Sequence, residues 1–146
     1  MSPVRRFGHV GLPVAALDVV TAFFVALGLE VEGSTFVEGE FLDTVCGIPG
    51  SRTEIVMLTP PGDGTRLELS GLVRPGSVPG SPAALSSELG LRTVAFEVHD
   101  LQAAAGWAAA GGYGLVCGMG GYEGAWRMAC VRGPEGIIVS LAERTG

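Results

Sequence analysis

Two stretches of the chain repeat one pattern of apolar and polar positions. Over Phe7–Val14 apolar residues alternate as in a half-buried strand, and over Leu17–Leu27 they change to helical spacing, with Leu17, Val20, Phe24 and Leu27 on one face. Gly28 stands where a left-handed helix cap belongs. The same switch recurs as a strand over Arg92–Val98 and a helix over Leu101–Ala110, ended by Gly111 and Gly112. Sliding the chain by about 84 residues superposes the copies without a gap, the period at which an internal repeat shows itself. Val10 then meets Val94, Val14 meets Val98, Leu17 meets Leu101, Ala26 meets Ala110 and Gly28 meets Gly112.

Further strand signals follow each helix. In the first copy they cover Glu30–Gly33, Thr53–Leu58 and Arg66–Ser70, and the turn Pro60-Pro61-Gly62-Asp63-Gly64 marks a hairpin between the last two. In the second copy they cover Gly114–Cys117, Ala125–Val131 and Ile137–Ala142, with a turn at Gly133-Pro134-Glu135-Gly136. A short helix is expected over Phe41–Gly47. Each copy reads as βαβββ, so the fold class is α+β. One domain is expected, with module one over about 4–72, a Pro-, Gly- and Ser-rich linker over 73–90 and module two over 91–143.

Strand residues alternate faces. Val94, Phe96 and Val98 pack under the second helix, which leaves Thr93, Ala95 and Glu97 on the other face. The repeat then places His9, Gly11 and Pro13 on the matching face of the first copy. Leu67 and Leu69 pack inward and leave Arg66, Glu68 and Ser70 opposite; Ile137, Val139 and Leu141 do the same and leave Ile138, Ser140 and Ala142. These bare faces are expected to line a concave, cup-shaped mixed sheet that suits a small molecule. His9 and Glu68 are the chemical groups of copy one, and Thr93 and Ser140 hold the equivalent positions in copy two.

Composition narrows the classes. Hydrophobic residues make up 47% and charged residues 16% of the 146, with a mean hydropathy of +0.43, which excludes a disordered chain. The net charge is −6 and every one of the 9 basic residues is Arg, so the basic stripe that a phosphate backbone requires is missing and no nucleic-acid partner is expected. Cys46, Cys117 and Cys130 are scattered, without a CxxC pair, as in a protein of the reducing cytoplasm. Leu101–Tyr122 is uncharged but too broken by glycine for a membrane span, and the residues after Arg6 lack the apolar core of a signal peptide.

The runs Gly8-His9-Val10-Gly11-Leu12, Arg66-Leu67-Glu68-Leu69, Val94-Ala95-Phe96-Glu97-Val98-His99-Asp100-Leu101 and Gly133-Pro134-Glu135-Gly136-Ile137-Ile138-Val139 resemble, in this order, the vicinal oxygen chelate superfamily. That superfamily includes glyoxalase I, the bleomycin-resistance proteins, extradiol dioxygenases and methylmalonyl-CoA epimerase. The resemblance implies a paired βαβββ cup, often completed as a homodimer, with one divalent metal (Zn, Mn, Fe, Ni or Mg) on the sheet floor. It carries metal ligands over to His9 and Glu68, whereas Thr93 and Ser140 stand where the family has a further His and Glu. Neutral hydroxyls are poor ligands for such metals, so a reduced site, or none, is expected.

Three roles remain open for His9: ligand, general base with a reference pKa near 6.5, or a structural partner of Glu68. A buried Glu68 without metal needs a partner, for which Arg66 and His9 are in reach. Glu54 and Glu123 are the remaining carboxylates considered for the floor. Tyr122, Trp126 and Arg127 enter a strand where they can close over a ligand. His99 is expected to be a solvated turn residue, and Glu38, Glu40 and Asp43 a solvated acidic face or a rim for a cationic ligand. Two functions follow: an enzyme of the lyase, isomerase or dioxygenase kind using His9 and Glu68, or a non-catalytic protein of the bleomycin-resistance type that sequesters a small molecule.

Overall fold

In the computed structural model, which describes residues 2–62 and 64–146, the chain divides between Pro79 and Gly80 into two units. The first holds β1 (His9–Pro13), α1 (Leu17–Leu27), β2 (Glu30–Glu38), α2 (Glu40–Cys46), β3 (Arg52–Thr59) and β4 (Arg66–Arg74). The second holds β5 (Thr93–Glu97), α3 (Leu101–Ala110), β6 (Gly120–Tyr122), β7 (Trp126–Arg132), a 3₁₀ turn at Pro134–Gly136 and β8 (Ile138–Arg144).

Each unit builds one mixed four-stranded sheet, in the orders β1-β4-β3-β2 and β5-β8-β7-β6. The first and last strands of each unit run parallel and the remaining pairs antiparallel. The expected α+β class and the two βαβββ orders are therefore present. The registers also coincide: Gly11 lies beside Glu68 in the first sheet, and Ala95 beside Ser140 in the second.

The helix side of each sheet forms a core. In the first unit Val20, Phe23 and Phe24 of α1 are buried with Val56, Leu58, Leu67 and Leu69, and the two phenyl rings meet edge to face at 5.2 Å. In the second unit Leu101, Ala105 and Ala108 of α3 cover Ala129, Val131, Val139 and Leu141. Each fully buried leucine contributes about 1.5–3 kcal/mol by leaving water. The caps differ between copies. Asp100 accepts a hydrogen bond from the Ala103 N–H at 2.9 Å and so caps α3, whereas α1 starts at Ala16 with no side-chain cap. Gly28, at φ +126, ends α1 and donates its N–H to the Phe24 and Val25 carbonyls, a backbone angle that L side chains rarely adopt.

Several boundaries depart from the sequence expectation, among them that of β4, which runs to Arg74 rather than ending at Ser70. β2 runs on to Glu38 because a register shift between Val31 and Gly33 breaks the alternation at Glu32 and resumes it beyond. Gly114–Cys117 is not a strand: it follows β7 through one isolated bridge, Leu115 to Val131, and the second strand of this copy is Gly120–Tyr122. The last strand reaches Arg144, two residues beyond the expected end. The expected turn after Thr59 contains Asp63, which lies outside the described residues. α2 spans Glu40–Cys46, with Gly47 left-handed at its end.

Candidate functional site

The open face of the first sheet, opposite α1, carries His9, Gly11 and Pro13 from β1 and Arg66, Glu68 and Ser70 from β4, alternating with the buried Leu67 and Leu69. His9 and Glu68 meet there: His9 Nε2 lies 3.2 Å from Glu68 Oε2, with 40% and 23% of the two side chains exposed. The couple is half-open, reachable by a ligand and still partly desolvated. The nearest backbone neighbour of Glu68 on β1 is Gly11, where an added Cβ would meet nothing within 4 Å. The absent side chain leaves space beside the carboxylate.

Arg66 is not the partner of Glu68. Its guanidinium donates to Glu32 Oε1 at 2.7 Å, and the other Glu32 oxygen accepts from the Thr59 hydroxyl at 2.8 Å. The Thr59 hydrogen bond, helped by Arg66, holds the Glu32 carboxyl below its usual range. Arg66 is thus engaged, and among the described residues His9 alone pairs with Glu68. If the Nε2 proton points at the carboxylate, the neutral imidazole presents Nδ1 as an acceptor. An imidazole oriented by a carboxylate is the arrangement that general-base chemistry needs.

The remaining carboxylates lie elsewhere. Glu54 is in register with Gly71, whose backbone lies against Leu17 of α1, so Glu54 projects on the helix side. Glu123, at φ 51, sits in the exposed turn between β6 and β7. Glu38 is paired to Arg52 at 3.2 Å and Arg74 at 2.9 Å, and hydrogen bonds from both lower its pKa, that of Arg74 most. Asp43 accepts from the Gly50 and Ser51 backbone N–H groups and the Ser51 hydroxyl; the Gly50 bond is the largest reason its carboxyl stays below the usual range. Glu38 and Asp43 are therefore tied into local structure, while Glu40 is exposed at the start of α2. His99 is exposed in the turn before Asp100.

Among the described residues no group of three or more His, Cys, Asp and Glu side chains is placed to hold a metal. A histidine and one carboxylate, already paired with each other at 3.2 Å, do not fit a Zn, Fe, Mn or Ni centre, which draws on three or more protein donors.

The open face of the second sheet holds Thr93, Ala95 and Glu97 from β5, Ser140, Ala142 and Arg144 from β8, Trp126, Met128 and Cys130 from β7, and Tyr122 from β6. Trp126, in register with both Tyr122 and Arg144, has the Arg144 guanidinium 4.6 Å above its ring. Arg127 does not join them. It is in register with Glu143, whose carboxylate accepts from the Leu101 N–H at the start of α3, and so belongs to the helix side. Sequence reasoning missed Arg144 because it ended β8 at Ala142; carrying the alternation of Ser140 and Ala142 one step further finds it. It missed Glu32 because the register shift hides its face.

No family model and no curated protein matches the chain. Among solved structures, a glyoxalase family protein from Bacillus cereus is 33% identical over 99% of this chain and 97% of its own, with a TM-score of 0.94. The trypanothione-dependent glyoxalase I of Leishmania major is 20% identical over 96% of this chain and 87% of its own, TM-score 0.67. An antibiotic binding protein from Streptomyces is 16% identical over 99% of both chains, TM-score 0.58. The last two show the fold alone. The first, whose identity extends over nearly the whole length of both chains, shows that this chain belongs to the glyoxalase family.

Proposed function

We propose that this protein binds a small, oxygen-bearing molecule against the open face of its first sheet, in the space beside Gly11, and that His9 and Glu68 move a proton on it. The observation that carries this reading is the 3.2 Å imidazole–carboxylate couple next to a position without a side chain. The step is proton abstraction next to a carbonyl: His9 Nδ1 takes the proton, and Glu68 fixes the ring and stabilises the imidazolium. No metal step is needed.

A chemical-shift screen of small hydroxy-ketones and 1,2-dicarbonyls tests it. Hits are expected to shift the amides of His9, Val10 and Gly11, and hydrogen at the carbon beside their carbonyl should exchange in D₂O, with the exchange lost in His9→Ala. Gly11→Leu, which fills the space without backbone strain, should abolish binding and leave the thermal midpoint unchanged. If no compound perturbs this face, the reading fails. Binding without exchange favours sequestration, the second function. Near-stoichiometric metal in protein purified without chelator, released by His9→Ala, would replace the proton-transfer couple with a metal site.

The working form is proposed to be a cytoplasmic homodimer. β1 is an edge strand of its sheet, and Val4 and Phe7 just before it are 71% and 69% exposed, an edge that a second copy protects. Sedimentation should show twice the chain mass. All three cysteines are free, as a reducing compartment keeps them. No described helix is long and apolar enough to cross a membrane.

A further inference from the structure

Tyr122, Trp126 and Arg144 stand side by side on three neighbouring strands, on the open face of the second sheet. Tyr122 is 60% exposed and Trp126 half-buried, although aromatic rings of this size are ordinarily buried to greater advantage. The adjoining row, Gly120, Met128 and Ala142, is low at its two ends, where Ala142 is small and a Cβ at Gly120 would meet nothing within 4 Å, and the half-exposed Met128 stands between them. The raised aromatic row, with low ground beside it at Gly120 and Ala142 and the apolar Met128 between, makes a step against which a flat molecule can lie.

The step is held in place. Glu123 and Gly124 turn the β6–β7 hairpin at φ 51 and 66, and the Ala125 N–H closes it on the Tyr122 carbonyl at 2.9 Å. Thr145 ties the same hairpin to β8, its N–H reaching the Ala125 carbonyl at 2.7 Å and its hydroxyl the Gly124 carbonyl at 3.3 Å. The backbone that carries Tyr122 and Trp126 is thus fixed before binding.

Charge decides what the step accepts. Arg144 already places a cation on the Trp126 ring, which leaves a second cation nothing to gain there. Among the described residues Arg144 has no carboxylate partner: Glu143, next to it, is spent on the Leu101 N–H, and Glu97 of the same face forms no ion pair with it. Its planar fork of N–H donors matches an oxyanion. The chain is acidic overall, but distant charge is screened over about 8–10 Å in physiological salt, so the guanidinium governs the local field.

We propose that Tyr122, Trp126 and Arg144 form a recognition platform for a planar, conjugated ligand that carries a carboxylate or comparable oxyanion, stacked on the aromatic row and held at its edge by Arg144. This rests on the reading that the protein is a small-molecule binder and narrows the ligand class to flat anions.

The probes are 2-naphthoate, 2-naphthamide and cyclohexanecarboxylate, titrated into the full-length protein by calorimetry, with NMR of the Trp126 indole and the Arg144 side chain. The naphthoate should bind on the order of tenfold tighter than either of the others, as expected when a charge-assisted bond or a stacking contact is removed. Arg144→Gln should erase the preference over the amide, and Trp126→Leu the preference over the cyclohexane acid. Circular dichroism verifies that both variants are folded, and should either fail to fold, Tyr122→Leu with the indole shift in the unaltered protein decides. Equal affinity for naphthoate and naphthamide, or no shift at the Trp126 indole, overturns the platform. Shifts at His9 and Gly11 with the Trp126 indole silent overturn it while leaving the proposed function standing; the hydroxy-ketone screen judges that function separately.

Discussion

The two open sheet faces are built on one backbone plan and given opposite chemistry. In the first, the position beside Gly11 holds a carboxylate that meets an imidazole; in the second, the matching position beside Ala95 holds Ser140, and the imidazole's counterpart is Thr93. The first face is a set of polar pairs, His9 with Glu68 and Arg66 with Glu32. On the second, an exposed arginine is stacked on an indole beside a tyrosine. The core rows behind the two faces remain alike, Leu67 and Leu69 answering to Val139 and Leu141. Helix-side positions are constrained by packing, open-face positions only by what they touch, so chemistry is free to diverge where the backbone does not.

The largest effects should come from the shared part. Leu69 and Leu141 are both fully buried, and Leu69→Ala or Leu141→Ala should each cost about 2–5 kcal/mol. Amide hydrogen exchange is expected to locate each loss in its own unit; a loss spread evenly over both would break the comparison. Next come the positions that differ. Glu68→Gln should slow catalysed deuterium exchange by about 10²-fold or more, while Ser140→Ala leaves it within experimental error. Equal losses would mean that the second face shares the chemistry.

Smaller still is the difference in capping. Asp100→Ala should cost about 0.5–2 kcal/mol in urea denaturation, and Ala16→Asp should recover part of such a gain in the first copy. No gain would show that the backbone at Ala16, not its side chain, sets the difference. Asp43 gives the smallest effect and the clearest pH dependence. Its pKa is lower in the folded chain than the ordinary value of 3.8, so its contribution is complete above that value and fades as pH falls through the folded pKa. Asp43→Asn should therefore lower the melting temperature at neutral pH and match the parent in strong acid.

Much of this was legible in the chain. The helices over Leu17–Leu27 and Leu101–Ala110 coincide with the observed elements because each has an apolar stripe and a glycine stop. That His9 and Glu68 share a face followed from strand alternation together with the internal repeat. What escaped notice depended on contacts made outside local pattern. The shift at Glu32 turns the alternation over, and its reason lies in the partner strand and in Thr59 and Arg66. Arg127 looked like a companion of Trp126 because the two are adjacent, yet adjacency in a strand means opposite faces. Gly114–Cys117 had the composition of a strand but found only one bridge.

The parallel pairing of first and last strands has a consequence for how the polypeptide acquires its shape. His9 finds its neighbour only at Arg66, and Thr93 only at Ile138. During synthesis β1 must wait until nearly all of its unit has left the ribosome, while the β3–β4 hairpin can zip as it emerges. The imidazole and the carboxylate therefore come together only when the first and last strands of the first sheet pair, a closure across most of that unit's length.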